Sequence, residues 1–333
     1  MNGSAIRVRL SPGEPLSSAD FFALRPPFRG AGDARRLALG TAALGQRWEA
    51  SRPDACVRVL HEAWSGGFLL VDTAPNYWKA EELVGAALRG WQGAAPILCT
   101  KLEGHGDGRT PAPGENRKDL LTSQFERSRT LFAPHPVTGL AIHGPDEHLP
   151  EFESACVAFL QERMNDRDIA ATGIGGGGPE MQARWLPREM VRYAITYFRI
   201  NAVSLQGLTD LAPLAAKHRV SVVAAGPMVH GLLGDRFDAY TRDGKRPGFL
   251  PKVFAERALL LADLAQERRL PLSQLALRFV LSIPQVAAVL AGPNDYATWR
   301  DCRTAYEAGP LDTELYRRVW AIATAGAETL AGG

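Results

Sequence analysis

From residue 36 to the C-terminus, short runs of mostly apolar residues alternate with longer stretches whose apolar positions recur every three or four residues. The short runs read as strands at 35–42, 66–74, 95–102, 137–144, 167–175, 193–203, 220–227 and 285–292. Between them the spacing predicts helices at 53–65, 79–89, 117–132, 151–164, 179–190, 209–218, 252–267 and 272–283. In "ACVRVLHEAW", for example, Ala55, Val57, Leu60 and Trp64 supply the apolar stripe. Two further helices, at 295–307 and 312–327, follow the last strand, and the second is expected to pack outside. Strands alternating with helices predict a parallel sheet, and eight of them suggest closure. The fold class is therefore α/β, a (β/α)8 TIM barrel forming a single domain over 35–333 with extra C-terminal helices. Residues 1–34, rich in Pro and Gly, read as an N-terminal arm or a cap across the barrel bottom.

Composition changes this picture little. The 333 residues, 46% hydrophobic, are enough to fill a barrel core. Lys plus Arg at 38 against Asp plus Glu at 36 leaves a formal charge of +2 with no long run of one sign, so nucleic acid is not an expected partner. No apolar run approaches the ~20 residues of a membrane span, and the start "MNGSAIRVRLSPGEPL" has no apolar signal core. Cys56, Cys99, Cys156 and Cys302 are scattered without metal-ligand spacing. A cytoplasmic chain with buried thiols and no metal is the expectation, and the sequence sets no oligomeric state.

One motif argues for a different fold. "TGIGGGGPEMQ" contains G-x-G-x-x-G at Gly173, Gly175 and Gly178. A Rossmann fingerprint opens the first βα turn of its unit and is followed about 20 residues on by an acidic residue for the ribose. Here it follows the fifth strand, and Met190 to Ala202 holds no Asp or Glu. The glycines therefore read as a strand end within the barrel.

Active sites of such barrels sit at the C-terminal ends of the strands. Asp72 ends the second strand with Tyr77 five residues later, Lys101 ends the third and His143 the fourth. Each alone has an ordinary explanation: a turn-forming Asp, a packing Tyr, a solvent-reaching Lys, a satisfied His. Converging on one mouth, they suit proton transfer. A buried ammonium beside a phenol favours the phenolate, a carboxylate holds that ammonium charged, and an imidazole donates to a substrate oxygen. An activated nucleophile and a set of metal ligands are both missing. Protonating a carbonyl oxygen needs a partner for the carbon, and a nicotinamide hydride is the common one.

With these motifs the sequence resembles the aldo-keto reductases: "ALGTAALG", "VDTAPNYWKAEELVGAAL", "CTKLEG", "AIHGPD", "AAGPMVHGLL" and "VAAVLAGPNDYATWRDC" occur in family order across about 36–305. Within the family it is most similar to the L-galactose, L-fucose and D-arabinose (sugar lactol) dehydrogenases, through "GLLGDRF" and "LPLSQLALRFVLSIPQVAAVLAG". The resemblance implies an NAD(P)-dependent oxidoreductase with Asp72, Tyr77, Lys101 and His143 as catalytic tetrad and Tyr77 as general acid and base. It also implies cofactor contacts at Gly40, Thr41 and Asp72, at Gly175 and Gly176 where the family has Ser and Asn, and at Gly226, Met228, Gly231 and Leu232 for the pyrophosphate. Gly292, Asn294, Arg300 and Asp301 complete the adenine end, with Tyr197 as a substitute near the nicotinamide. Ala291 to Asp295 stand where the family reads P-G-x-R-S, so the cation that pairs with the 2′-phosphate is missing and Asp295 would repel that phosphate, which favours NAD over NADP. Trp78, where the family has Gly, and Trp48 are candidates, with His143, for a wall against a small-molecule carbonyl, lactol or alcohol substrate. Two other readings of the same tetrad stay open: a non-redox lyase or isomerase using Tyr77 and Lys101, and a nucleotide-sensing barrel with little turnover.

Overall fold

The computed structural model describes residues 12–22, 35–50, 53–103, 116–144 and 150–325. In chain order the elements are α1 (Ser18–Phe22), β1 (Leu37–Gly40), α2 (Ala42–Ala50), α3 (Pro53–Ser65), β2 (Leu70–Asp72), α4 (Ala80–Arg89), β3 (Ile97–Leu102) and α5 (Arg117–Phe132). Next come β4 (Gly139–His143), α6 (Pro150–Asn165), β5 (Ala171–Gly175), α7 (Pro179–Trp185), β6 (Val191–Tyr197), α8 (Gln206–Thr209) and α9 (Leu211–His218). The chain finishes with β7 (Ser221–Ala225), α10 (Phe237–Thr241), α11 (Lys252–Glu267), α12 (Leu272–Ser282), β8 (Val286–Ala291), α13 (Tyr296–Glu307) and α14 (Thr313–Thr324).

The eight strands pair in parallel, each with its sequence neighbours, and β1 closes on β8 through Leu37 opposite Val289 and Leu39 opposite Ala291. The predicted closed barrel is thus present. A parallel barrel is covered on both faces, which is why β3 and β8 are buried along their whole length and why β8 reads as a continuous apolar run. Arg36, fully buried at the start of β1, donates from Nη1 to Leu281 O at 2.8 Å and from Nε to Ala287 O at 3.2 Å, across the β1–β8 seam.

Several predicted boundaries move. The first strand ends at Gly40, because Ala42 already starts a helix that the sequence reading missed. The fifth strand starts at Ala171, and the sixth stops at Tyr197 although apolar residues continue. Phe198 takes φ 59°, outside the strand region, and Asn201 N donates to Ser204 O at 2.8 Å to close a turn. The helix predicted at 179–190 ends at Trp185, and that at 209–218 is divided at Asp210, whose carboxylate accepts from Leu211 N as the cap of α9. On α3 the buried stripe is Cys56, Val59, Leu60, Ala63 and Trp64; Ala55 is exposed. Residues 326 and 327 of the last predicted helix, and 1–11 and 23–34 of the arm, lie outside the described residues. Within the described part of the arm, Leu16 N donates to Ser282 O at 3.0 Å, just ahead of β8. Phe21 is fully buried and stacks on Tyr306 at 5.5 Å.

Candidate active site

Register brings the tetrad together. Asp72 lies opposite Cys99 on β3, Lys101 opposite Ala141 on β4, and His143 opposite Gly175 on β5, so three successive strand ends deliver three polar groups to one mouth. Asp72 is further fixed by Thr41, whose amide and hydroxyl both donate to the Asp72 carbonyl at 3.0 Å. Tyr77 comes from the turn between β2 and α4. That turn is seated against α2 at Gly45, where a Cβ would lie 2.4 Å from Tyr77 O.

Lys101 is buried, and Nζ donates to Asp72 Oδ2 at 2.7 Å and to Thr73 O at 2.8 Å. Its ammonium also lies 4.7 Å from the centre of the Tyr77 ring. Burial, the largest single influence, disfavours the charged ammonium, but the charge and hydrogen bond of Asp72 together with Tyr77 and Glu103 outweigh it, so the Lys101 pKa is raised and the group stays charged. The phenol departs from the sequence expectation. Burial pushes the Tyr77 pKa up, and the charge and hydrogen bonding of Lys101 only partly oppose it, so the neutral phenol is favoured at ordinary pH. The phenol oxygen therefore carries its proton in this setting.

His143 stands edge-on to Tyr77, ring centres 5.4 Å apart, with Nε2 3.5 Å from the phenol oxygen. Its other nitrogen, Nδ1, lies 2.7 Å from Oε1 of Glu103, a buried residue that the sequence reading passed over. Side chains two apart on a strand share a face, so Glu103 could have been found by counting on from Lys101. The second oxygen of Glu103 accepts from Asn76 Nδ2 at 3.1 Å, and its backbone is clamped by Gln124 of α5, which accepts from Glu103 N at 2.9 Å and donates to Glu103 O at 3.0 Å.

The remaining predicted positions lie in separate groups. Gly175 is pressed against the tetrad: a Cβ there would sit 3.2 Å from Lys101 Cε and 3.6 Å from His143 Cδ2. Gly176, at φ 88°, has no atom within 4 Å of where a Cβ would go, an open floor beside His143. Tyr197 is 54% exposed at the end of β6 and stacks on Phe198 at 3.7 Å. Both rings pack over Gly226, where a Cβ would fall 2.6 Å from Phe198 and 2.9 Å from Tyr197. In the loop beyond β7, Val229, His230 and Gly231 all have positive φ, at 50°, 57° and 88°. There the amide of Gly231 donates to Met228 O and that of Leu232 to Val229 O, both at 3.1 Å, closing turns within the loop. Gly40 and Gly292 directly follow paired positions of the β1–β8 seam. On α13, Asp295 is the helix cap and accepts from Thr298 N at 2.8 Å, while Asn294 Oδ1 accepts from the Thr298 hydroxyl at 3.1 Å. Asp301 accepts from Ser273 Oγ at 2.6 Å and Gln274 Nε2 at 2.7 Å, and Arg300 is exposed. Trp78 is 55% exposed at φ 49°, beside Tyr77 in the chain. Trp48 lies on α2, but its side chain is outside the described residues.

The closed parallel barrel thus gathers an Asp, a Lys and a His at its strand C-termini, with a Tyr from the adjoining turn, in one mouth, an arrangement suited to proton transfer. The Aldo/keto reductase family model matches residues 36–324, so the chain belongs to that family and is an oxidoreductase of its type. It is similar to D-threo-aldose 1-dehydrogenase of a Pseudomonas species, 23% identical over 279 residues that cover 77% of this chain and 84% of that one. The uncharacterized oxidoreductase YqkF of Bacillus subtilis is 25% identical over 291 residues, covering 85% and 90% of the two chains. Among solved structures, the glycerol dehydrogenase AKR11B4 from Gluconobacter oxydans superposes with a TM-score of 0.73 at 25% identity, covering 91% of this chain and 95% of its own. Among the described residues, no helix is long and apolar enough to cross a membrane.

Proposed function

We propose that the protein is an NAD-dependent dehydrogenase or reductase that interconverts a carbonyl or lactol with its alcohol or lactone, nearest in kind to the sugar lactol dehydrogenases. The observation that carries this reading is the stack of Asp72, Lys101 and Tyr77, with Nζ 2.7 Å from the carboxylate and 4.7 Å from the phenol ring. A nicotinamide cofactor fits the residues present. Gly176 leaves an open floor beside the tetrad, and the exposed face of Tyr197 offers a flat surface at the same mouth. When bound, the nicotinamide supplies or takes a hydride at the substrate carbon. The chain handles the proton: Tyr77 Oη gives it to the carbonyl oxygen in reduction and takes it back in oxidation, while Lys101 and Asp72 hold a fixed charge pair below the ring. Asp295 at the cap of α13 already places a negative charge at that helix N-terminus, which disfavours the 2′-phosphate of NADP. Trp78 is assigned to the substrate wall on its exposure and its place next to Tyr77.

The test is separate titration with NADH and NADPH, followed by tryptophan quenching, and then turnover of wild type and Tyr77→Phe on a panel of aldoses, lactols and small carbonyls. Tighter NADH binding is expected, with turnover in Tyr77→Phe down by about 10² or more and cofactor affinity unchanged. Binding of neither cofactor would favour a lyase or isomerase, and binding without turnover a sensor. Full activity in Tyr77→Phe would overturn the assignment of the proton donor.

A further inference from the structure

We propose that Glu103 is a positioning residue that turns His143 into the proton acceptor for Tyr77. The contact is specific: Glu103 Oε1 lies 2.7 Å from His143 Nδ1, with the carboxylate side chain only 10% exposed. An ionised carboxylate can only accept, so the hydrogen of that bond belongs to Nδ1. A neutral imidazole carries one N–H, and its Nε2 is then a lone pair. That lone pair lies 3.5 Å from the Tyr77 oxygen, so the phenol donates to the ring. This reverses the part that the sequence suggests for His143, a donor to the substrate oxygen. Separations of this length in a site without substrate commonly tighten when one binds.

The support around Glu103 exceeds what an acid facing solvent requires. Asn76, from the turn that carries Tyr77, holds its second oxygen, and the Gln124 amide holds its backbone on both sides. The carboxylate is thus tied to the same turn as the phenol it serves. Among the described residues, the other charged groups near His143 are Lys101, packed with it against Gly175, and Asp72 beyond the Lys101 ammonium.

The step balances, and it rests on the oxidoreductase reading above. In alcohol oxidation the Tyr77 proton passes from Oη to His143 Nε2, giving phenolate and imidazolium, the latter neutralised by Glu103. The substrate hydroxyl proton then goes to the phenolate as the C–H pair leaves as hydride to oxidised nicotinamide dinucleotide. Carbonyl reduction runs the same transfers backwards. Burial favours the neutral phenol of Tyr77, so an acceptor of this kind is most needed in the oxidative direction. The arrangement follows the logic of a carboxylate that fixes an imidazole tautomer beside a hydroxyl.

Two measurements test it. In the cofactor-free protein, nitrogen-15 spectra of the seven histidines, with His143 assigned by its loss in His143→Asn, should show the Nδ1–H tautomer at neutral pH; an Nε2–H tautomer overturns the proposal whatever the activity. In kinetics, Glu103→Gln should lower kcat for alcohol oxidation about tenfold or more near neutral pH, with KM little changed and a pH profile across about pH 6 to 9 that no longer follows wild type. Cofactor affinity and the fold are expected to match wild type, and Glu103→Asp should restore part of the rate. A pH profile for Glu103→Gln that superposes on wild type overturns the proposal. If the wild-type protein binds no nicotinamide cofactor, the oxidoreductase reading fails by itself, and the tautomer still decides the role of Glu103.

Discussion

Tyr77 sits between an ammonium that would draw its proton off and a buried setting that keeps it on, and burial wins. Sequence spacing points to the four tetrad residues because three of them close apolar strands and Tyr77 follows the first by five positions. It does not rank burial against charge, which depends on how deep each group lies. Glu103 escaped for a related reason: just after β3, its acid reads as loop solvation until the distance to His143 is measured. Trp78 is the other departure at this scale, a bulky residue in left-handed backbone at φ 49°. Replacing it with glycine removes a conformational cost of about 1–2 kcal/mol. Trp78→Gly is therefore expected to raise the urea midpoint while raising KM severalfold with kcat little changed; an unchanged KM would remove Trp78 from the substrate wall.

At the scale of elements, the strands were legible because a doubly covered parallel strand is mostly apolar along its length, whereas its ends are set by backbone conformation that composition does not encode. β6 is the clearest case: Phe198, Ile200, Ala202 and Val203 keep the apolar pattern going past Tyr197, and the positive φ of Phe198 stops the strand. The helix α2 was hidden by Gly45, which lowers helix propensity yet is required there. A Cβ at Gly45 would lie 2.4 Å from Tyr77 O and 2.7 Å from Ala80 Cβ, so the helix, the turn and α4 touch through it. Gly45→Ala is expected to cost about 1–3 kcal/mol by overpacking, despite the better helix former. Thermal denaturation should show the loss, and turnover should fall with it because the Tyr77 turn must shift; equal stability and activity would mean that the contact yields freely.

Across the whole molecule, three phenols, Tyr193, Tyr306 and Tyr316, are almost fully buried. Burial raises the pKa of each, that of Tyr306 to about 12 against the opposing charge of Arg35. The sign follows from the raised folded value. Their contribution to stability is complete below the unfolded value near ~10, and it is lost as the pH rises through the folded one. A denaturation midpoint that falls between about pH 10 and 12, with late phenolate absorbance appearing as the fold is lost, is the expected titration. Ionisation of all seven tyrosines ahead of unfolding would contradict it. The same scale gives Arg36 its meaning. Its bonds reach residues 245 and 251 positions away, so they tie distant parts of the chain together where the last strand meets the first. Contacts of such separation are expensive in chain entropy and belong to the end of assembly. What forms after the folding barrier slows escape from the native state without hastening arrival. Arg36 is therefore a latch on the lifetime of the closed barrel, and the durability of the mouth at one end rests on a guanidinium at the other.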